Sequence, residues 1–341
     1  MTSHTATRLV RARRRGSSRV DDIAVGSLLA STLRVATPLI LCAMAGLLAE
    51  RSGVIDLGLE GKMLMCAFAA GAVGAVSGSL TLALAAAVAV GVALSMLHGY
   101  ACVSHRGDQV VMGIAITMTA AGLTVVLGIA WFGMGGQTPA LPDSVRLAPL
   151  FKDGSAAVSS VPIVGPVLAL GLLGHHVLVY GAFVLVAAVW WLLYCTRFGL
   201  RLRAAGENPA MVDAAGVSVL RLRYQALALN GVVCALAGAT LVLAQNPSFV
   251  PNMTAGRGYM ALAAMIFGKW KPVGALWACL LFGFLDALSI RLQGLTLPLI
   301  GAVPVQAIQA LPYVLTVVLL AGFFGRARAP KALGVPYVKE R

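Results

Sequence analysis

Apolar runs of about 20 residues recur along the whole of this 341-residue chain, and they leave few folds open. They lie near 33–49, 61–78, 80–103, 109–132, 176–195, 224–245, 257–268, 273–291 and 304–324. A bilayer core offers no water to backbone amides, so a spanning segment must satisfy its own hydrogen bonds, as a helix does. Only 11% of the residues are charged, against ~25% in a soluble domain. The short alternating segments of a membrane barrel are not found. The expected fold class is an all-α polytopic membrane protein with about 8 to 9 transmembrane helices. The 257–268 run is short for a span, so a broken or re-entrant element is expected there. Residues 53–74 and 254–275 each pass from a Gly-containing polar turn into an Ala-rich helix, a weak internal repeat.

The net charge of +14 sits in loops and tails beside apolar runs. That pattern reflects orientation in a membrane and not nucleic-acid binding. Residues 1–20 carry six Arg and are expected to be a disordered basic tail near lipid headgroups. The transmembrane domain runs over 21–325, and 326–341 is a second basic tail, expected in the cytoplasm. The loop 133–174 balances Arg146 and Lys152 against Asp143 and Asp153, so it is expected outside. The five Arg of 196–223 place that segment inside, and Lys269 and Lys271 mark another inner loop. An odd number of crossings separates two basic termini. Either the N-terminal tail is external against its charge, or one of 33–49 and 61–78 does not fully cross.

Between the first two runs lies Glu50-Arg-Ser-Gly-Val-Ile-Asp-Leu-Gly-Leu-Glu-Gly-Lys62. It reads as an aqueous loop or as an unwound stretch in the bundle, where glycine permits broken geometry. In the second case Ser52, Asp56 and Glu60 face a solute path. Asp286, Asn230, Gln245 and Asn246 are further path candidates, because polar groups in spans face the interior. Arg291 and Arg34 read as interfacial anchors. The cysteines Cys42, Cys66, Cys102, Cys195, Cys234 and Cys279 read as packing residues, since no CxxC pair occurs.

The polar island between the fifth and sixth runs has internal structure. Asn208-Pro209 is a helix start, with Asn as N-cap and Pro at the first position. Pro209 to Ala215 then makes about two turns, and Gly216 stops them. The expectation is a short helix on the cytoplasmic face, behind a basic lead-in over Arg197–Arg203. No phosphate-binding G-x-x-x-x-G-K-[ST] and no HExxH occurs, so no catalytic residue and no metal ligand set is assigned.

These residues resemble a known family. The string Arg-Phe-Gly-Leu-Arg-Leu-Arg-Ala-Ala-Gly-Glu-Asn-Pro from Arg197, with Ala-Ala-Gly-Val after it, is similar to the coupling segment of permeases in bacterial ABC importers of the ribose and branched-chain amino acid type. The turn from Ser52 to Gly61 resembles that family's motif near its broken second helix. Three strings resemble the subfamily associated with nucleoside uptake: Met253–Ala264, Phe267–Gly274 and the tail Arg326–Tyr337. The chain lacks the extra apolar helix that ribose-type permeases place before the first motif, and its basic N-terminal tail matches no family motif.

The resemblance implies a bacterial inner-membrane transport subunit, not an enzyme, that forms a path for a small polar solute, foremost nucleosides. It implies three partners: cytoplasmic ATP-binding subunits that use the ATP, a second related permease, and an external solute-binding lipoprotein. No cofactor is implied in this chain. The ATPase coupling residues would be Ala204, Ala205, Gly206, Glu207, Asn208, Pro209, Asp213 and Gly216. Alternatives are a permease for a sugar such as ribose or for a branched-chain amino acid, or an ion-coupled secondary transporter using Asp56, Glu60 or Asp286.

Overall fold

A computed structural model describes residues 3–150, 171–292 and 328–338, with isolated positions between 296 and 314. The helices are α1 (Ser3–Arg51), α2 (Leu59–Ser77), α3 (Leu80–Gly99), α4 (Gln109–Phe132), α5 (Val177–Cys195), α6 (Arg197–Glu207), α7 (Pro209–Ala214), α8 (Val219–Thr240), α9 (Arg257–Phe267) and α10 (Pro272–Leu292). Single π turns, Tyr100–Ser104 and Leu241–Gln245, extend α3 and α8. Two two-residue strands, Thr296–Leu297 and Gly301–Ala302, pair antiparallel. The all-α expectation holds.

Among the described residues seven helices are long and apolar enough to cross a membrane. The short α9 and the chain leading into it make an eighth crossing. Phe249 in that lead-in takes a hydrogen bond from Thr138 N–H at its carbonyl (3.2 Å) on the face opposite α6 and α7. The far end of α9 reaches the α6–α7 face at Trp270, whose carbonyl accepts from Arg51 Nε (2.8 Å). The run at 304–324 and the loop residues 151–170 lie outside the described residues.

The helices fall into two sets. In the apolar windows of α1, α2 and α8, 83%, 78% and 78% of residues are buried inside the chain. In α3, α4 and α5 the shares are 22%, 22% and 28%, so these three offer most of their surface to lipid or to a partner. The buried set packs at backbone contact. A Cβ on Gly238 of α8 would lie 2.4 Å from the Met63 carbonyl oxygen of α2, so only glycine fits this crossing.

The span-count conflict resolves in favour of two full crossings. The Arg51 end of α1 joins the α6–α7 face, while Ser27 near its other end bonds Arg291 at the end of α10. Helix α2 starts beside Arg51's turn and ends at Gly78, whose carbonyl accepts from Ser144 of the far-side loop (3.4 Å). The N-terminal end of α1 therefore lies opposite the α6–α7 face, and the described tail 328–338 lies on it. Helical backbone also continues through 3–20, where a disordered tail was expected. Arg, Ala and Leu are good helix formers, and extension from an existing helix needs no new nucleus. Side chains before Val25 lie outside the described residues.

Candidate functional site: a capped helix pair and a broken helix

The polar island folds as two short helices. Thr196 Oγ1 caps α6 by accepting from Gly199 N–H (3.1 Å). Asn208 Oδ1 caps α7 by accepting from Met211 N–H (3.2 Å), with Pro209 in the first position. Gly216, at φ 78°, ends it one residue earlier than expected, after Ala214. The basic lead-in is itself helical, because Leu202 and Ala205 are buried on one side while Arg201 faces out. Arg203 sits 4.6 Å over the Tyr194 ring.

The expected coupling residues do not share one surface. Glu207, Asn208 and Gly216 are exposed; Ala204, Pro209 and Asp213 are half-buried; Ala205 and Gly206 are buried. A Cβ on Gly206 would lie 2.3 Å from the Arg51 carbonyl oxygen, so this glycine seats α6 on α1 and does not face outward. The sequence reading missed Met211, which is 70% exposed and shares the outer face of α7 with Ala214 and Ala215. The signal was available: an apolar residue followed at i+3 and i+4 by small ones.

The C-terminal tail straps this face. Ala332 N–H bonds the Gly206 carbonyl (2.9 Å), and Gly334 N–H bonds the Gly53 carbonyl (3.1 Å). Arg223, 1% exposed, donates to the carbonyls of Ser52 (3.2 Å) and Val335 (3.3 Å). Arg223 counted only as an inner-loop charge in the sequence, because its two chain-distant carbonyl partners are invisible there.

The Ser52–Glu60 turn is closed inside the bundle, where a solute-facing stretch was expected. Ser52 Oγ donates to the Ala49 carbonyl (2.6 Å). Asp56 pairs with Lys62 Nζ at 2.7 Å and with His98 Nδ1 at 3.1 Å. Lys62 Nζ lies 3.3 Å from Asn230 Oδ1, which also accepts from Ser95 Oγ (2.9 Å), and Asn230 Nδ2 donates to the Ala45 carbonyl (2.9 Å). Asp56, Lys62, Ser95, His98 and Asn230 are all at 0% exposure. Burial would raise the Asp56 carboxyl, but Lys62 and His98 outweigh it and hold it below the usual carboxylate range. Of the members not among the path candidates, Lys62 belongs to the charged segment at the start of α2, while His98 stands alone near the end of the apolar α3. A lone ionisable group there calls for a partner, though sequence does not say which.

Glu60 does something else. Its two carboxylate oxygens accept from Gly256 N–H (2.8 Å) and Gly258 N–H (2.6 Å), capping α9 where it starts inside the bundle. The other end of α9 is held by Glu50, which accepts from Trp270 Nε1 (2.6 Å). The lead-in to α9 contains left-handed residues, Asn252 at φ 56°, Ala255 at 47° and Gly256 at 82°. Of the remaining path candidates, Gln245 Nε2 bonds the Arg34 carbonyl (2.7 Å) and Asn246 Nδ2 the Leu241 carbonyl (2.9 Å). Asp286 is half-buried on α10, within the electrostatic reach of Arg257. The structure thus brings Asp56 and Asn230 together and leaves Ser52, Glu60, Gln245, Asn246 and Asp286 apart.

Membrane-crossing helices, one broken half-way, and a capped helix pair carried on one face together define the membrane subunit of a transporter. The comparisons agree. Residues 28–322 match the family described as branched-chain amino acid transport system / permease component. The guanosine ABC transporter permease protein NupQ of Bacillus subtilis is 38% identical over 315 residues, 91% of this chain and 95% of the relative. The nucleoside ABC transporter permease protein NupC of Lactococcus lactis is 35% identical over 324 residues, 92% and 97% of the two chains. TsgC13 of Haloferax volcanii, provisionally named a glucose ABC transporter permease, is 36% identical over 287 residues, 82% of each.

The chain belongs to the branched-chain amino acid transport system permease family. It is a multi-pass inner-membrane permease of the ABC-transporter type, a transport component and not an enzyme.

Proposed function

We propose that this permease carries nucleosides inward as one of two related permease subunits. In this reading α7 seats in a groove of a cytoplasmic ATP-binding subunit, which uses the ATP, while an external lipoprotein delivers the solute. No cofactor resides in this chain. Exposure of Met211 beside the Asn208 cap carries the coupling part. Such an exposed apolar side chain on a two-turn helix, set on a rigid strapped base, suits a partner's groove and rigid-body transmission. The two relatives at 35% and 38% identity, named for guanosine and nucleosides, support the solute. A sugar is the second reading, favoured by TsgC13 at 36%.

The test is nucleoside uptake by the reconstituted complex with α7 altered. Met211→Asp should abolish binding of the ATPase subunit and cut uptake at least tenfold, while the permease still purifies folded. Normal uptake by this variant would remove α7 from the coupling role. Uptake by the permease alone under an ion gradient would favour the secondary-transporter reading.

A further inference from the structure

The turn that leads into α9 holds polar groups that nothing in the bundle consumes. Helix α9 has 11 residues, which is ~16 Å of rise, about half of a ~30 Å hydrocarbon core. Its C-terminal end is tied to the α6–α7 face through Trp270, so Arg257 at the other end lies about half-way across. Asp286 is at similar depth: it follows Pro272 on the neighbouring α10 by fourteen residues, ~21 Å of rise.

Both ionisable groups are only half-buried at that depth. Lipid makes such exposure costly, so this surface calls for water or a polar partner beside it. Arg257 gives one bond, to the Met253 carbonyl (3.0 Å), and among the described residues the Asp286 carboxylate receives no hydrogen bond. Asn252 is exposed and Tyr259 is 43% exposed. Thr254 is at 0% exposure, and its hydroxyl has no partner among the described residues. Asn252 and Ala255 hold left-handed backbone without being glycine, strain that accumulates at ligand-contacting turns.

Charge then narrows the ligand. A helix start inside a membrane protein ordinarily attracts an anion. Here Glu60 already takes the amides of Gly256 and Gly258, and Asp286 adds a second negative group against the single positive Arg257. An anion finds the Gly256 and Gly258 amides already taken and meets a net negative surface. What remains is a donor, an acceptor, a mixed amide and an aromatic ring.

We propose that Asn252, Arg257, Tyr259 and Asp286 contact the solute, and that they select an uncharged, hydrogen-bonding ring solute against its phosphorylated form. This rests on the permease reading above and deepens it: Tyr259 offers a face to a flat ring, while Arg257 and Asp286 offer complementary hydrogen bonds to its edge or hydroxyls.

The experiment uses the complete transporter in proteoliposomes with labelled guanosine and, as competitor, its 5′-monophosphate. Asp286→Asn, Arg257→Gln and Tyr259→Leu should each raise KM at least tenfold while the complex still co-purifies. The monophosphate should not compete with the wild type. Val76→Ala, at the exposed end of α2, should leave uptake unchanged. Unaltered KM in all three site variants, or competition by the monophosphate as strong as by guanosine, would overturn the proposal. Loss of the second permease from the complex would also overturn it, by showing that this surface is a subunit contact. Should a variant not fold, Asn252→Cys or Tyr259→Cys in a Cys195→Ser background supplies the test. A hydrophilic thiol reagent should label it several-fold more slowly with guanosine present, and equal rates would sink the idea. If the wild type carries glucose and no nucleoside, the solute assignment above fails, and the same variants then report on this site through the KM for glucose.

Discussion

Two glycine-bearing turns interrupt helices inside this protein, and they are finished in opposite ways. The turn before α2 is sealed: Ser52, Asp56 and Glu60 are 0 to 5% exposed, and each is bonded within the bundle. The turn before α9 is open, with Asn252, Ala255 and Tyr259 exposed and Thr254 unpartnered among the described residues. They are the two halves of the weak repeat, yet α2 continues for 19 residues and α9 stops after 11. The difference teaches that charge in a membrane turn does not mark a path. The sealed turn completes its pairing within the bundle, as scaffold does, and the open turn leaves pairing for the proposed solute to complete.

The comparison breaks most visibly at the sealed turn. Lys62→Met should lower the stability of the detergent-solubilised complex by about 3 to 5 kcal/mol, because Asp56 is left as an uncompensated buried charge. The double variant Asp56→Asn/Lys62→Met should recover most of the loss in thermal unfolding. A double variant as unstable as the single would show that the pair's shape matters more than its charge. Next in size is Glu60→Gln, which removes one of two charge-assisted acceptors at the start of α9, at about 1.5 to 3 kcal/mol. Amide exchange over 256–260 should speed up before exchange elsewhere does.

Acid should act on the same turn. Asp56 is held below its ordinary range when folded, so its contribution is present above the unfolded carboxylate pKa and lost as pH falls through the lowered folded value. Unfolding temperature should therefore drop on acidification below pH ~4, and less so in the Asp56→Asn/Lys62→Met variant. Asn208→Ala should cost about 1 kcal/mol through the lost cap of α7. The smallest effect belongs to the open turn. Asp286→Asn should change stability by less than about 0.5 kcal/mol, since among the described residues its carboxylate receives no hydrogen bond. A large loss there would mean that the open turn is scaffold after all.

Much of the architecture was legible because lipid imposes strict rules. Apolar length gave the spans, and the short 257–268 run gave the broken element. The cap Asn208-Pro209 and the stop at Gly216 were readable because both work within a few residues. What sequence could not supply was pairing across the chain. Asp56 and Lys62 are six residues apart and were quoted in one segment, but His98 and Asn230 complete the cluster from other helices. Glu60 looked like a path residue because its partners are backbone amides almost two hundred positions away. Residue type cannot announce a bond to a backbone group. Met211 was overlooked for a different reason: an apolar residue in a polar island reads as filler until its exposure is known.

The strap over the α6–α7 face has a consequence for how the protein is made. That face combines Ser52 and Gly53 from the start of the chain, Gly206 and Arg223 from its middle, and residues 330–335 from far beyond. Ribosomes deliver these parts in order, so α6 emerges with its Gly206 carbonyl unpaired and waits for Ala332. That face is complete only after residues 330–335 have been made. A partially synthesised permease therefore offers an unfinished surface.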